Sequence, residues 1–318
     1  MHVDPGADHD ITTVFNPIEQ PEEAARFYHE NGYMVARGLI PEETCAKTLN
    51  AFRSHIKPFD GRLMRQTTSR PERHNISEQG LITNPMLDVH ETCRGVFPEF
   101  YDAATEVLLH RNIVDTLTEL FQDDPLMVQT MYFESSRGTD PHMDTHFIDS
   151  TKFGQLAGVW IALEDIGEEA GRFSVYPKSH RIYDETLFDV ETREIAEAYE
   201  AHQIATIRGY QIEGKSFSLT SVTKARRLFN KLIKASGLQA YHPPLKAGDV
   251  VFFSSYCMHG SAKPKYEGGG SRNSLTAHWV GKSNGYTRCR VLPGLPLKLE
   301  QVRGAWVQVH DREPASPA

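Results

Sequence analysis

The second half of the chain is divided into short β-rich runs that are separated by turns rich in glycine and proline. These runs stand at residues 126–133, 158–165, 173–177, 250–253 and 271–280. No internal repeat relates them, and they lack the regular strand-helix alternation that predicts a parallel sheet. Short strands in this arrangement are typical of jelly-roll and cupin-like barrels. We therefore expect a barrel of this kind in the second half of the chain.

Helices are predicted before this β-rich half and inside it. Pro21-Glu22-Glu23 begins a helix with proline in its first turn and acidic residues near its positive end, and Asn31-Gly32 should end it. The remaining predictions are a loose lead-in at 1–20, a strand at 33–40, a helix from Pro41, a long loop or lid at 58–92, helical spacing over 95–121, and a mostly helical insertion at about 181–240.

Composition excludes several classes of protein. The net charge of -8, with 34 basic and 42 acidic residues, argues against a nucleic-acid-binding protein. No run approaches the roughly 20 apolar residues that span a bilayer, and the N-terminus lacks the basic and apolar regions of a signal peptide. The four cysteines have no CxxC spacing, so we expect reduced, buried thiols. The chain is expected to be cytoplasmic.

His142-Met143-Asp144 is the first candidate for a metal site. Residues i and i+2 of an extended strand project from the same face, so an imidazole nitrogen and a carboxylate oxygen can meet at one ion. This spacing alone is a weak signal in a chain with 15 histidines. His146 has the same strand parity, but we expect it on the substrate side, because a three-residue site is complete without it.

His259 is the best distant partner for this pair, because it ends an apolar strand beside Gly260. Two histidines and one carboxylate leave open positions on iron(II). Arg272 follows on the next strand, with Ser274 on the same strand face. A guanidinium binds a carboxylate with two parallel hydrogen bonds, and the hydroxyl adds a donor. This pair suits the far carboxylate of 2-oxoglutarate. His180 is expected to be a structural turn residue and His278 a packed barrel histidine.

Several strings resemble the phytanoyl-CoA dioxygenase family of iron(II)/2-oxoglutarate-dependent oxygenases. They are FYHENGYMVARGLIPEE near the N-terminus, HMD, GVWIALEDIGEEAGRFSVYPKSH, LKAGDVVFF, HGSAKP and SRNSLTAHW. The resemblance extends over about 22–280. The insertion at 181–240 and the glycines at 268–270 depart from the family pattern, and the C-terminus carries no peroxisomal SKL signal.

The resemblance implies a double-stranded β-helix with flanking helices. It also implies that His142, Asp144 and His259 bind iron(II), that Arg272 binds 2-oxoglutarate, and that Trp160, Ser261 and Gln129 lie near the cosubstrate. Dioxygen would be the second cosubstrate, and ascorbate would serve as reductant in vitro. We expect one dioxygenase domain over 1–318, with a helical part at about 20–122, a β-helix core at about 126–280 that contains the insertion, and an extension at 283–318.

The expected reaction is oxidation of an unactivated C–H bond of a small molecule, most simply hydroxylation, with release of succinate and carbon dioxide. The substrate would belong to secondary or specialised metabolism. Desaturation, cyclisation or epoxidation at the same site is the alternative within this class. A redox-inert cupin-type metal enzyme or a ligand-binding protein is the alternative from another class. The basic residues at 62–73 and 224–234 indicate a polar or anionic substrate or, equally, a solvated surface. No nucleic-acid or membrane partner is expected, and the sequence leaves the oligomeric state open.

Overall fold

The computed structural model describes residues 10–152, 154–213, 219–265, 269–288 and 297–310 of the 318-residue chain. Within these residues the α-helices are α1 (Pro21–Asn31), α2 (Glu42–Ala51), α3 (Val89–Thr92), α4 (Pro98–Leu108), α5 (Arg111–Phe121), α6 (Val190–Glu213) and α7 (Leu219–Ser236). The first strands are β1 (Val14–Phe15), β2 (Tyr33–Ala36), β3 (Leu63–Met64), β4 (Pro71–Glu72), β5 (Met86–Leu87), β6 (Pro125–Phe133), β7 (Thr139–His142) and β8 (Ile148–Ser150). The later strands are β9 (Leu156–Ala162), β10 (Phe173–Val175), β11 (Val250–Ser254), β12 (His259–Ser261), β13 (Ser274–Gly281), β14 (Tyr286–Arg288), β15 (Leu297–Val302) and β16 (Ala305–His310).

Two packed sheets form the β-rich half. The large sheet has the strand order β1-β2-β11-β9-β13-β6-β16-β15, with β5 also paired to β6. The smaller sheet has the order β10-β12-β7, and its Phe173 packs against Trp160 and Phe253 of the large sheet. The strand pairs that build this core are antiparallel, as in a jelly roll. The expected double-stranded β-helix is confirmed.

The central strands of the large sheet are buried along their whole length. Every residue of β9, β11 and β13 is buried. The N-terminal helices contribute to the same core through side chains such as Phe27, Leu49, Phe100 and Leu117. Covering both faces of a sheet removes the simple in-out alternation, which explains why β9 and β11 are apolar runs. β13 differs, because one of its buried faces carries Ser274, Thr276 and His278. The two layers leave the space between the sheets for polar side chains of the site.

α1 follows the signals that its sequence carries. Pro21 stands in the first turn with Glu22 and Glu23, and the helix ends at Asn31. Gly32 takes a left-handed conformation (φ 80°) and donates its N–H to the carbonyl of Tyr28. A side chain at Gly32 would collide with the His180 ring, whose Nε2 lies 2.9 Å from the carbonyl oxygen of His29. The structural role expected of His180 is confirmed.

Three expectations for the N-terminal third need correction. The lead-in at 1–20 is described from residue 10, and it contains β1, which pairs in parallel with β2. The predicted strand at 33–40 ends at Ala36, because the chain turns at Arg37-Gly38. The helical spacing over 95–121 corresponds to two helices, and His110 begins the second by accepting a hydrogen bond from the N–H of Asn112 (3.3 Å). Hydrophobic periodicity predicts which face of a helix is apolar, but it does not predict where one helix ends and the next begins.

The segment 58–92 has little regular structure, as expected. It is nevertheless held in place by buried hydrogen bonds and by strand pairing with β6. Arg65 is completely buried there and donates to the carbonyls of Glu72 (3.2 Å) and Asn84 (3.0 Å). The third contact of its guanidinium is with His74 Nδ1 (2.8 Å). Met86 and Leu87 pair with β6. These contacts argue against a lid, and Arg65 is unavailable to a substrate.

The helical insertion is confirmed as α6 and α7. Phe188, Tyr199, Phe229 and Leu232 from this region pack with Met143 and Met258 in an apolar cluster of their own. The extension after 283 supplies β14, β15 and β16, and β16 pairs in parallel with β6. Cys45, Cys93 and Cys257 are buried thiols, as expected, whereas Cys289 lies outside the described residues. Among the described residues, no helix is long and apolar enough to cross a membrane.

Candidate metal centre

His142 and His259 lie on neighbouring strands of the smaller sheet, and Asp144, in the turn after β7, converges with them. One potential ligand atom from each residue lies within 4.8 Å of the other two. Asp144 Oδ1 stands 3.7 Å from His142 Nε2 and 3.6 Å from His259 Nε2. This is the spacing of donor atoms that share one ion, and the three predicted ligands are therefore brought together.

Strand pairing explains the convergence of the two histidines. β7 is antiparallel to β12, and His142 is directly opposite His259 in this pairing. The assumption that 142–146 is one extended strand is wrong, because β7 ends at His142 and a 3-10 turn covers Asp144–His146. Met143 is still extended (φ -112°, ψ 138°), which turns the Asp144 carboxylate toward both imidazoles. The parity argument for His146 consequently fails, and its side chain lies outside the described residues.

Hydrogen bonds to the backbone fix both imidazoles for metal binding. His142 Nδ1 donates to the carbonyl of Asp140 (3.0 Å), and His259 Nδ1 donates to the carbonyl of Cys257 (2.9 Å). In a neutral imidazole, a proton on Nδ1 leaves the lone pair on Nε2. Both Nε2 atoms are the ones that face Asp144, so each ring presents its acceptor nitrogen to the ion position.

The electrostatics of the three residues favour the forms that bind metals. Burial lowers the pKa of His259 to about 4, which keeps this imidazole neutral at physiological pH. Burial raises the pKa of Asp144, but the imidazoles of His259, His278 and His142 outweigh that effect and the net pKa is lowered. The centre therefore offers the Nε2 atoms of two imidazoles and one carboxylate. With iron(II), this set leaves about one net positive charge for an anionic cosubstrate.

His278 is the site residue that sequence reasoning missed. It is 4% exposed, and its Nε2 donates to Asp144 Oδ2 (2.9 Å). Its Nδ1 is hydrogen-bonded to the side-chain amide of Gln129 (2.8 Å), which is its direct cross-strand partner. His278 thus holds the second carboxylate oxygen while the first faces the ligands. His278 has the same strand parity as Arg272 and Ser274, and this parity is the sequence signal that places it on the face of the site. The expectation of a packed barrel histidine did not use that signal.

Replacing His278 by Phe should lower iron(II) affinity about 10- to 100-fold, because Asp144 loses the hydrogen bond that orients it. Replacing it by Gln should restore part of that affinity, since an amide N–H can donate to the carboxylate. The measurement is anaerobic iron titration of each variant. His90→Phe is the matched control: His90 is also buried and hydrogen-bonded, but to Thr130 and to the carbonyl of Gln308. Equal iron affinity in His278→Phe and the wild type would contradict this role.

Arg272 is a buried cation without a carboxylate partner among the described residues. It is 3% exposed, and Nη1 donates to the carbonyl of Gly171 (3.0 Å). Its guanidinium carbon lies 5.7 Å from the centre of the Trp160 ring and 5.8 Å from that of Phe133. Burial lowers the pKa of Arg272 to about 10, so the group is still charged at neutral pH. A buried guanidinium with so few hydrogen-bond partners is stabilised when an anion pairs with it.

Arg272 and the strand that follows it carry buried polar atoms that lack a partner among the described residues. Within the described part of the chain, Arg272 Nε, Ser274 Oγ and Thr276 Oγ1 are buried and lack a hydrogen-bond partner. Ser274 and Thr276 have the strand parity of His278, so all three lie on the face of β13 that carries the site. Buried donors without partners are rare in proteins and are the observation expected where a polar ligand binds. They fit the carboxylate of a 2-oxo acid, and the metal ligands fit iron(II).

The three residues predicted near the cosubstrate, Trp160, Gln129 and Ser261, lie in different parts of the site. Trp160 is directly opposite Thr276 in the large sheet and stacks on Phe173, which in turn stacks on His259. These rings connect Arg272 to the metal centre. Gln129 contacts His278, as described above. Ser261 Oγ accepts from the N–H of Thr139 (2.9 Å) and shares a hydrogen bond with Ser136 (3.1 Å), so it fastens β7 to β12. Its contact with a cosubstrate stays a prediction.

The model of the phytanoyl-CoA dioxygenase family matches residues 28–265 of this chain. Among curated proteins, peroxisomal phytanoyl-CoA dioxygenase of Homo sapiens is 23% identical over 278 residues, which cover 81% of this chain and 68% of that protein. The family model covers most of the chain, including the three candidate ligands. Arg272 and β13 lie beyond its end.

Solved structures with the same fold include two proteins from nogalamycin biosynthesis. The non-haem α-ketoglutarate-dependent carbocyclase SnoK has a TM-score of 0.59 at 19% identity, over 93% of this chain and 99% of that one. The epimerase SnoN, in complex with Fe³⁺, α-ketoglutarate and nogalamycin RO, has a TM-score of 0.56 at 16% identity, over 92% and 99% of the two chains. α-Ketoglutarate is another name for 2-oxoglutarate. At these identities the likeness shows a shared fold.

Proposed function

Because the chain belongs to the phytanoyl-CoA dioxygenase family and is an iron(II)- and 2-oxoglutarate-dependent oxygenase, we propose that it hydroxylates an unactivated C–H bond of a small molecule. The co-products are succinate and carbon dioxide. We place the substrate in secondary or specialised metabolism, a choice motivated by the nogalamycin enzymes that share the fold. The whole reaction is assigned to one domain over residues 1–318.

The proposal gives each site residue a specific task. His142, Asp144 and His259 hold iron(II), and His278 keeps the Asp144 carboxylate oriented. Iron(II) with 2-oxoglutarate and dioxygen supplies, when bound, an oxidant strong enough for unactivated C–H bonds. Arg272 binds the far carboxylate of the cosubstrate through paired hydrogen bonds, with Ser274 and Thr276 as further donors. The Trp160 ring packs against the guanidinium, with its centre 5.7 Å from the guanidinium carbon atom.

One observation carries the proposal: Arg272 is buried without a carboxylate partner among the described residues, and the strand that follows it carries the buried hydroxyls of Ser274 and Thr276 on the same face as His278. A redox-inert cupin enzyme could use the same three metal ligands, but it would gain nothing from a buried cation that costs folding free energy. The arrangement supports a second, dianionic ligand that spans from the metal to Arg272.

The experiment is a mass-spectrometric screen of a small-molecule library with iron(II), ascorbate and 2-oxoglutarate. A substrate should gain one oxygen atom, and one succinate should form for each product. Loss of two hydrogens instead would assign desaturation or cyclisation to the same site, and would overturn hydroxylation. Product formation that is unchanged without 2-oxoglutarate would overturn the oxygenase mechanism. Asp115→Ala, which removes an exposed carboxylate of α5, should match the wild type.

A further inference from the structure

The metal centre opens toward solvent along His142. The His142 side chain is 27% exposed, whereas those of Asp144 and His259 are 8% and 6% exposed. His142 lies on β7, which is an edge strand of the smaller sheet. A molecule that approaches the ion from solvent therefore passes β7 and the turn that follows it. The side chains around this opening are the first that a substrate meets.

Phe147 is an exposed aromatic residue at this opening. It directly follows the 3-10 turn that begins at Asp144, and its side chain is 45% exposed. Its ring centre lies 6.1 Å from that of His142, with the two rings nearly perpendicular (71°). Exposed apolar groups that cluster beside a polar site are typical of ligand-binding surfaces. Further exposed apolar side chains come from the segment that leads into α6, and they are Tyr183, Leu187 and Val190.

The same entry segment is tied to the metal ligands. Ile182 and Phe188 are buried in one cluster with Met143, the residue between His142 and Asp144. Tyr183 and Tyr256 both donate to the Glu200 carboxylate of α6, at 2.9 Å and 3.1 Å. The insertion is thus held directly against the turn that carries Asp144. The insertion and Phe147 therefore both adjoin the turn that carries Asp144.

α7 brings positive charge to the same opening. Its sequence from 219 to 236 has no acidic residue, although the chain as a whole has a net charge of -8. Phe229 and Leu232 pack its inner face into the cluster with Met143 and Met258. Arg226 forms an exposed ion pair with Asp140 (3.1 Å), two residues before His142. The exposed cations of this helix are Lys224, Arg226, Arg227, Lys231 and Lys234.

Resting on the proposed function, we propose that Phe147 and the cationic helix α7 determine substrate specificity, and that the primary substrate is an amphipathic anion. Its apolar body packs on Phe147, next to the carbon that is oxidised. Its carboxylate, phosphate or sulfate group lies further out, in the positive field of α7. A neutral hydrocarbon or a small polar anion alone meets only half of these contacts.

The test uses 8-anilinonaphthalene-1-sulfonate as an amphipathic probe of the protein loaded with Zn(II) and 2-oxoglutarate. Fluorescence titration gives its Kd, and displacement is compared for naphthalene-1-sulfonate, 1-naphthol and methanesulfonate. Naphthalene-1-sulfonate has both an aromatic body and an anionic group, whereas 1-naphthol has only the aromatic body and methanesulfonate only the anionic group. We expect naphthalene-1-sulfonate to displace the probe at least about tenfold more effectively than either. Mn(II) in place of Zn(II) should broaden the proton resonances of the bound probe, because the probe lies near the metal.

Two variants separate the apolar and ionic contributions. Phe147→Ala should raise the probe Kd about tenfold, as expected for losing a buried phenyl contact. The double variant Lys224→Glu/Arg227→Glu should raise it about fivefold at low salt and much less at about 0.5 M salt, since salt screens exposed charges. Matched controls are Leu299→Ala, an apolar side chain 42% exposed on β15, and Arg26→Glu/Lys47→Glu on α1 and α2. Neither control should change the Kd.

Unchanged probe affinity in both test variants would overturn the inference, as would equal effects in the controls or absence of broadening by Mn(II). Iron and 2-oxoglutarate affinities are measured on the same proteins. If they hold while probe binding does not depend on Phe147 or α7, the substrate class is wrong and the oxygenase assignment stands. If iron and 2-oxoglutarate fail to bind the wild type, the proposed function itself is wrong.

Discussion

Replacing Asp144 by Ala is expected to abolish iron(II) binding and 2-oxoglutarate turnover. Asp144 is the single carboxylate of the three-residue centre, and both imidazole Nε2 atoms face it within 3.7 Å. Loss of a group that merely orients a ligand lowers metal affinity 10- to 100-fold, so loss of the ligand itself should exceed about 100-fold. Substrate-stimulated succinate formation should fall below detection.

The melting temperature with and without Co(II) measures this loss without relying on activity. The wild type should be stabilised by the ion through mass action, whereas Asp144→Ala should melt at the same temperature with and without it. Asp115→Ala should retain the full shift, because its carboxylate pairs with Arg111 on the surface of α5. A Co(II)-dependent shift of wild-type size in Asp144→Ala would exclude this residue as a ligand.

Replacing Arg272 by Met is expected to separate stability from cosubstrate binding. The guanidinium is buried without a carboxylate partner in the described part of the chain, so its removal should leave the free energy of unfolding unchanged or raise it by about 1–2 kcal/mol. The same change should weaken 2-oxoglutarate binding about 30- to 1000-fold, as for one partner of a buried charge pair. Urea denaturation measures the first effect and anaerobic 2-oxoglutarate titration the second.

Arg65→Met is the matched control for this pair of effects. Arg65 is also completely buried, but its guanidinium is hydrogen-bonded to Glu72, Asn84 and His74. Its replacement leaves buried carbonyls unpaired and should cost about 3 kcal/mol or more of unfolding free energy. 2-Oxoglutarate affinity in the folded fraction should not change. If Arg272→Met destabilises the protein as Arg65→Met does, Arg272 has a structural role and not the binding role proposed here.

The convergence of the three candidate metal ligands could be predicted from the sequence because these residues lie in short, local patterns. His142 and Asp144 are two residues apart, and His259 stands at the end of an apolar strand. The strand pairing of β7 with β12 then places the histidines opposite each other. The local conformation was less predictable: the chain leaves the strand at Met143, and a 3-10 turn presents Asp144. A separation of two residues between His142 and Asp144 is compatible both with a continuous strand and with a strand followed by a 3-10 turn.

Long-range polar contacts were beyond reach of sequence reasoning. His278 binds Asp144 across 134 residues, and neither residue carries a local signal for that partnership. Arg65 is one of several arginines in a segment with a surface-like composition, yet it is completely buried because carbonyls of its own loop surround it. Thr276 shared the strand parity of Ser274, but its unpaired hydroxyl is evident only from the packed sheet. Sequence periodicity predicts which residues share a strand or helix face, but it does not predict which distant residues they contact.

The central claim is that one site binds iron(II) through His142, Asp144 and His259 and 2-oxoglutarate through Arg272. Anaerobic titration of the iron(II) protein with 2-oxoglutarate tests it most directly. The account predicts a weak metal-to-ligand charge-transfer band that saturates at one 2-oxoglutarate per chain, fails to form in Asp144→Ala, and requires far more 2-oxoglutarate in Arg272→Met. A wild-type protein that binds iron(II) but develops no such band, or a band with unchanged affinity in Arg272→Met, would contradict it.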